Sequence, residues 1–315
     1  MQTLKIIFCG TPDFAVPLLA ALAKDGRVKI QQVVTMPDRP ASRGQQLTAP
    51  PVAMEAKRLN LPLFQTANLN QEIAWIREQQ QNKIDAVIVA AFAQFLKNDL
   101  LSLGRLGAFN FHGSLLPQYR GAAPIQYALL NNDAFSGISI QRMVLKMDAG
   151  DIALQAQVPI APEDNYLTLA AKLQRQAVAM IPDFISLLLE GNLKLLPQDE
   201  QRVSFAPTIK KEMGYLDFVQ QDARHILGQI RAFAVWPKTY CFINQQRLLV
   251  HAAQLYPGVT LKPGEISISS GYLLVGTKTA TLRLAQIQWA NKKAVPDTAW
   301  VQGVHQALQL TGGPS

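Results

Sequence analysis

Asn110 and His112 stand two apart in the run GAFNFHGS, residues 107–114. In an extended strand, residues two apart point to the same face. An amide and an imidazole side by side can both donate hydrogen bonds to one developing oxyanion, which suits attack on a carbonyl-like carbon. Open α/β sheets hold their ligands at the C-terminal ends of strands. These two residues sit near such an end, because Gly113-Ser114 leaves the run into the loop Ser114-Leu115-Leu116-Pro117. A hydrogen-bonded core histidine is the plain alternative, and the neighbouring amide and the loop weigh against it. Asp148 lies in Met147-Asp148-Ala149-Gly150-Asp151. By itself it reads as the acid of a hairpin turn. Folded back on His112, its carboxylate would orient or charge the imidazole and shuttle a proton. Spacing along the chain does not choose between these readings.

Several other chemistries lack their residues. His112-Gly113-Ser114 fails as a hydrolase nucleophile elbow, because Leu116 stands where the last glycine belongs. The first apolar run ends in Gly10-Thr11-Pro12-Asp13, with Pro12 in the place of the second glycine of a dinucleotide fingerprint. NAD is therefore not expected, and no phosphate-cradling loop for a nucleoside triphosphate occurs. Four histidines and two distant cysteines, Cys9 and Cys241, give neither a protein-built metal site nor a disulfide framework. Cysteine usage points to a reducing cytoplasm. The opening MQTLKIIFCG has no long apolar stretch of a secretory leader, and the run 86–96 is too short to span a bilayer.

The elements that must position these groups follow from the apolar pattern. Residues 4–9, 28–35, 85–92 and 107–114 read as strands, interleaved with helical segments at 14–23, 52–59 and 73–80. Asp13 is placed to cap the first helix. Strands alternating with helices imply βαβ units and a Rossmann-like, mostly parallel sheet. A hairpin follows across the Asp148 turn, then a long helix over 166–189. Residues 192–207 are polar and mixed, and read as a linker. Beyond them short strands at regular spacing suggest a small barrel or sandwich.

Hydrophobic residues make up 49% and charged residues 17% of the 315, which fits a globular chain with a sizeable core. Basic residues number 30 and acidic residues 22, and 11 of the basic and 5 of the acidic ones lie from Lys210 onward. That concentration suggests a polyanion partner for the last third, with a simple solubility charge as the alternative. The stretch MPDRPASRGQQLTAP, residues 36–50, has no apolar period, and structureless loops of that length are uncommon unless functional or disordered. Arg39 and Arg43 within it suit contact with phosphates or stacking on an unpaired base. A solvated loop is the plain alternative.

FNFHGSLLPQYRGAAPIQYAL followed by MDAGD resembles the folate-dependent formyltransferases. IIFCGTPDFAVPLL, PDRPASRGQQL, RAFAVWP and PGEI are similar to their methionyl-tRNA formyltransferase branch, and the resemblance runs through nearly the whole chain. It implies formyl transfer from 10-formyltetrahydrofolate, as co-substrate and without a metal, to initiator methionyl-tRNA. An amino sugar nucleotide is the alternative acceptor, and neither membrane nor DNA is an implied partner. By resemblance, Asn110 and His112 stabilise the oxyanion and Asp148 organises proton transfer. Ser114, Leu115, Leu116 and Pro117 would belong to the folate site, with the strand end carrying Ala90, Phe92 and Phe95 against the pterin. Arg39 and Arg43 would probe the tRNA acceptor stem, with Lys210 and Lys211 as further tRNA contacts. The implied domains are a catalytic domain over 1–191, a linker over 192–207, and a tRNA-binding, oligonucleotide-binding-like β-barrel over 208–315. Ala91-Phe92-Ala93 departs from the family's usual Ala-Tyr-Gly. Gln118 replaces a usual basic residue, and Ser42 a frequent glycine.

Overall fold

The apolar runs form the middle of one sheet in the computed structural model, which describes residues 3–41, 46–304 and 307–313. In chain order the first elements are β1 (Leu4–Gly10), α1 (Val16–Lys24), β2 (Val28–Thr35), β3 (Arg39–Ala41), β4 (Gln46–Thr48), α2 (Pro51–Arg58), β5 (Leu63–Gln65), α3 (Ile73–Gln81), β6 (Ala86–Ala90), α4 (Asn98–Leu101), β7 (Ala108–His112), α5 (Pro124–Leu130), β8 (Phe135–Arg142), β9 (Ile152–Pro159) and α6 (Tyr166–Glu190). Seven strands make a sheet in the order β5-β2-β1-β6-β7-β8-β9. The first five run parallel, and β8 pairs antiparallel with both β7 and β9. Parallel strands covered on both faces read as continuous apolar runs, and every residue of β6 is buried. The order reverses beside β1, with β2 and β5 on one side and β6 and β7 on the other. There Gly10 pairs with Ala90, so both strand ends open on a topological switch point, the usual ligand crevice of such sheets.

Aromatic packing fixes which face of β7 is chemical. Phe109 and Phe111 meet the ring of Phe184 on α6 edge-on, at centroid distances of 5.2 and 5.9 Å. Ala108, Asn110 and His112 therefore face the other way. A register slip of one residue would exchange the two faces, and burying the two phenyl rings opposes it.

Three expectations are corrected. Asp13 does not cap a helix. It opens a 3-10 turn, Asp13–Ala15, and α1 begins at Val16 without a side-chain cap. Pro17 in the first turn of α1 removes one of the donors that a cap would satisfy. The stretch 36–50 is not without regular structure, since β3 pairs antiparallel with β4 from Arg39–Thr48 to Ala41–Gln46. Arg43 lies outside the described residues. The segment read as a linker is bound along its length. Leu196 and Ile152 exchange main-chain hydrogen bonds of 2.8 and 2.9 Å, and Arg120 does the same with Ser204 and Ala206 at 2.9 and 2.8 Å.

Two compact units result. The first comprises Met1–Pro124, Phe135–Pro159 and Ala170–Ala206, and the second Ile125–Ala134, Ile160–Leu169 and Pro207–Ser315. In the second, Asn132 accepts from Arg231 at 2.6 Å and donates to the carbonyl of Arg224 at 3.2 Å, which fastens residues 125–134 to the later chain. Its other elements are α7 (Ala223–Ala232), β10 (Thr239–Ile243), β11 (Gln246–Leu255), β12 (Ile266–Ser269), β13 (Tyr272–Gly276), β14 (Thr281–Trp289), β15 (Val295–Pro296) and α8 (Asp297–Val301). Asp222 caps α7 by accepting the His225 N–H at 2.7 Å. The strands form an antiparallel sheet in the order β10-β11-β14-β13-β12, with β15 on β14. Ile226, Ile230, Cys241, Leu248, Leu273 and Ile287 are among its buried core. Asp297, fully buried, is held by both arms of Arg283 at 2.9 and 2.7 Å. Among the described residues no helix is long and apolar enough to cross a membrane.

Candidate active site

β7 delivers His112 into a buried position, 5% exposed, at the C-terminal edge of the sheet. Its Nε2 lies 2.9 Å from the carbonyl oxygen of Tyr119. A carbonyl only accepts, so Nε2 carries a hydrogen. The other nitrogen, Nδ1, lies 3.7 Å from Asp148 Oδ2. That is too long for a hydrogen bond but within ion-pair reach of a charged ring. Asn110 is half-buried, and its side chain has no hydrogen-bond partner among the described residues. Its two N–H donors are thus available beside the imidazole.

Asp148 is a turn residue whose side chain does more than close a turn. Its φ is +51°, a left-handed conformation that Asp tolerates better than most side chains. Oδ2 accepts the Gly121 N–H at 2.9 Å, and Oδ1 accepts from the Gln141 amide at 2.7 Å. Gln141 is there because β7 and β8 pair with Asn110 opposite Gln141 and His112 opposite Ser139. The carboxylate thus has two neutral donors and the imidazole as its neighbours. Gly150 lets the turn close, since a Cβ there would lie 1.6 Å from the carbonyl oxygen of Arg142.

The loop after β7 is held from within. Ser114 Oγ donates to the Gln118 carbonyl at 2.6 Å, which removes it as a free nucleophile. Buried Ser139 donates to the Ser114 carbonyl at 2.6 Å and accepts the Leu116 N–H at 2.9 Å. Ser114 and Leu116 are 1% and 3% exposed, so they shape the loop from inside, while Leu115 and Pro117 are half-buried. Ala90 is buried at the end of β6, Phe92 half-buried and Phe95 exposed. Gln94 fastens that loop by accepting the Leu69 N–H and donating to the Thr66 carbonyl, both at 2.7 Å. Arg39 is exposed on β3. Lys210 and Lys211 are exposed in the second unit.

The structure therefore brings Asn110, His112 and Asp148 together, along with groups not foreseen from the sequence. These are the Tyr119 carbonyl, the Gly121 N–H, Gln141, Arg120 and Gln198. Tyr119-Arg120-Gly121 follows the loop directly, so its proximity was readable. Gln198 stands in the polar stretch 192–207, where no local sequence signal marks it. Among the described residues no group of three or more His, Cys, Asp or Glu is placed to hold a metal.

Comparison with known proteins gives this geometry a family. The model for "Formyl transferase" matches residues 4–185, and that for "Formyl transferase, C-terminal domain" matches residues 208–305. The chain is 36% identical to the methionyl-tRNA formyltransferase of Koribacter versatilis, over 95% of each chain. It is 37% identical to that of Streptococcus pneumoniae, over 97% of each. Among solved structures it resembles an N-formyltransferase from Helicobacter canadensis in complex with folinic acid and dTDP-3-aminofucose, at a TM-score of 0.67 and 18% identity, over 91% of this chain and 100% of that one. HypX from Aquifex aeolicus, in complex with tetrahydrofolic acid, matches at a TM-score of 0.62 and 13% identity, over 96% of this chain and 47% of that one. At such identities the structural likeness is one of fold.

Proposed function

The chain belongs to the formyl transferase family, on its methionyl-tRNA formyltransferase side, and from that premise we propose how it works. It transfers a formyl group from 10-formyltetrahydrofolate to the α-amine of methionine on initiator tRNA. The neutral amine attacks the formyl carbon, and the carbonyl oxygen becomes an oxyanion beside Asn110 and His112. With Nε2 committed to Tyr119, the ring donates to that oxygen from Nδ1. Both nitrogens then carry hydrogens, and the Asp148 carboxylate offsets the charge of the imidazolium. The bond from the formyl carbon to N10 breaks, and the proton lost by the amine reaches N10 by way of Asp148 and His112. The observation that carries this reading is the juxtaposition of an unpartnered Asn110 amide with His112 and a carboxylate 3.7 Å from its ring. Preorganised donors of this kind act where charge develops and are worth most away from water.

Residues 1–191 carry out the chemistry and residues 208–315 bind tRNA, with the antiparallel sheet curling as an oligonucleotide-binding barrel. Leu115, Pro117, Phe92 and Phe95 offer side-chain surface to the folate, whereas Ser114, Leu116 and Ala90 contribute through the backbone. Arg39, Arg43, Lys210 and Lys211 contact the tRNA. A groove of the second unit supports this. It joins the Trp289–Trp300 pair, 5.5 Å between centroids, to Arg247, Lys292 and Lys293, with no acidic residue among the described residues that line it. Aromatic faces beside cations are the surface that single-stranded nucleic acid uses. The reaction belongs to the cytoplasm, where initiator tRNA is charged.

The fold neighbours that act on sugar nucleotides define the competing reading. A formyl-transfer assay offering charged initiator tRNA, an amino sugar nucleotide and water separates them. Dominant transfer to tRNA is expected, and preference for the sugar would overturn the assignment.

A further inference from the structure

Asp148 keeps a left-handed backbone, a conformation that strains a non-glycine residue unless the surroundings hold it. The holder is a side chain fifty positions further along. Gln198 Nε2 donates to the Asp148 carbonyl at 2.9 Å and to the Gly150 carbonyl at 2.6 Å. Its Oε1 accepts from Arg120 Nε and Nη2 at 3.0 and 2.8 Å. These four bonds use both N–H donors and both lone pairs of the amide. A guanidinium only donates and carbonyls only accept, so the amide has one possible orientation. Arg120 is itself fixed, 2% exposed, with Nη2 also on Glu200 Oε1 at 2.7 Å. Glu200 in turn accepts from Lys146 at 3.0 Å, two residues before Asp148.

We infer that Gln198, oriented by the buried Arg120, is a positioning residue: it holds the turn 148–150 so that the Asp148 carboxylate stays against His112. This rests on the proton-transfer role proposed for Asp148. The Gly121 N–H and the Gln141 amide steer the carboxylate itself. Neither holds the backbone from which it springs, and Gln198 does.

The test compares Gln198→Ala, Gln198→Glu, Asp148→Asn and the double variant Gln198→Ala/Asp148→Asn in the full chain. Steady-state formylation of initiator methionyl-tRNA and thermal melting are measured for each. Glutamate keeps a partner for Arg120 but turns a carboxylate oxygen toward two carbonyls. A residue that only anchored Arg120 would therefore be rescued by it. The expected result is that both Gln198 variants lose roughly 10- to 100-fold in kcat, the cost of about an ångström of misplacement, with KM for folate and tRNA nearly unchanged. Gln198→Glu should still fold cooperatively, with a melting temperature no lower than that of Gln198→Ala, and still be slow. The double variant should be no slower than Asp148→Asn, because one residue acts through the other. Parental kcat in Gln198→Glu, or losses that multiply in the double variant, would overturn the inference while leaving the role of Asp148 standing. Full activity of Asp148→Asn would remove that role and this inference together.

Discussion

His112 is tied on one edge to the Tyr119 carbonyl and faces Asp148 on the other, so truncation removes an aimed donor and leaves the strand that carries it. His112→Ala should lower kcat on the order of 100- to 1000-fold while folate and tRNA still bind, as measured by turnover beside direct binding. Asp148→Asn isolates charge, because Asn tolerates the left-handed backbone as Asp does. Near-parental turnover in that variant would reduce Asp148 to a turn residue. Glu200 gives a pH signature of the clasp around the site. Arg120 first, and Lys146 with it, hold its carboxyl down at about 2 against an ordinary 4.5. A depressed carboxylate contributes stability that is present above about pH 4.5 and is lost as the pH falls toward about 2. Acid-unfolding curves of the parent and Glu200→Gln should therefore differ at neutral pH and converge near pH 2. A constant offset at every pH would show that the carboxylate's charge is irrelevant. Asn110 and His112 were legible because a period of two puts them on one face. Asp148 was legible only through the family resemblance, because its approach depends on the β7–β8 register, on a left-handed turn and on Gln198 from far along the chain.

The elements set limits that single residues reveal. Gly150 sits where any side chain meets the Arg142 carbonyl at 1.6 Å. Gly150→Ala should force the turn open, lowering the melting temperature and removing most activity; overpacking of this kind costs about 1–3 kcal/mol and sometimes more. The hairpin between β10 and β11 invites the opposite change. Asn244 and Gln245 have φ of +48° and +64°, the two left-handed positions of a type I′ turn, where Asn-Gly is preferred. Gln245 is exposed, and Gln245→Gly should stabilise the protein by about 1 kcal/mol in urea unfolding, the relief of left-handed strain less the entropy of a freer unfolded chain. No gain would show that the Gln245 side chain makes up for its strain. The strand-helix alternation was readable because buried parallel strands are long apolar runs. β3 and β4 were not, since three residues including Pro40 display no period. Residues 192–207 read as a linker because main-chain pairing leaves no trace in side-chain hydrophobicity.

Across the whole molecule, charge and burial give two measurable signatures. The last third carries most of the positive excess, so tRNA affinity should fall steeply with salt. Lys292→Ala should lower the slope of log affinity against log salt by roughly one counterion. An unchanged slope would place the tRNA elsewhere. Cys9 and Cys241 are both buried, and burial pushes each thiol up from 9.0 to about 12. Their neutral forms favour the fold fully below about pH 9, and that contribution is lost as the pH rises toward 12. Neither thiol should react with a thiol reagent until the chain unfolds. The place of Gln198 in the chain also has a meaning in time. Synthesis starts at the N-terminus, so Asp148 is made fifty residues before the amide that holds its turn. By the end of that interval the growing chain owns all seven strands of its first sheet, yet still lacks the amide that binds the turn of its acid. On the role proposed for Gln198, full turnover comes only when residue 198 folds back against the turn that carries Asp148.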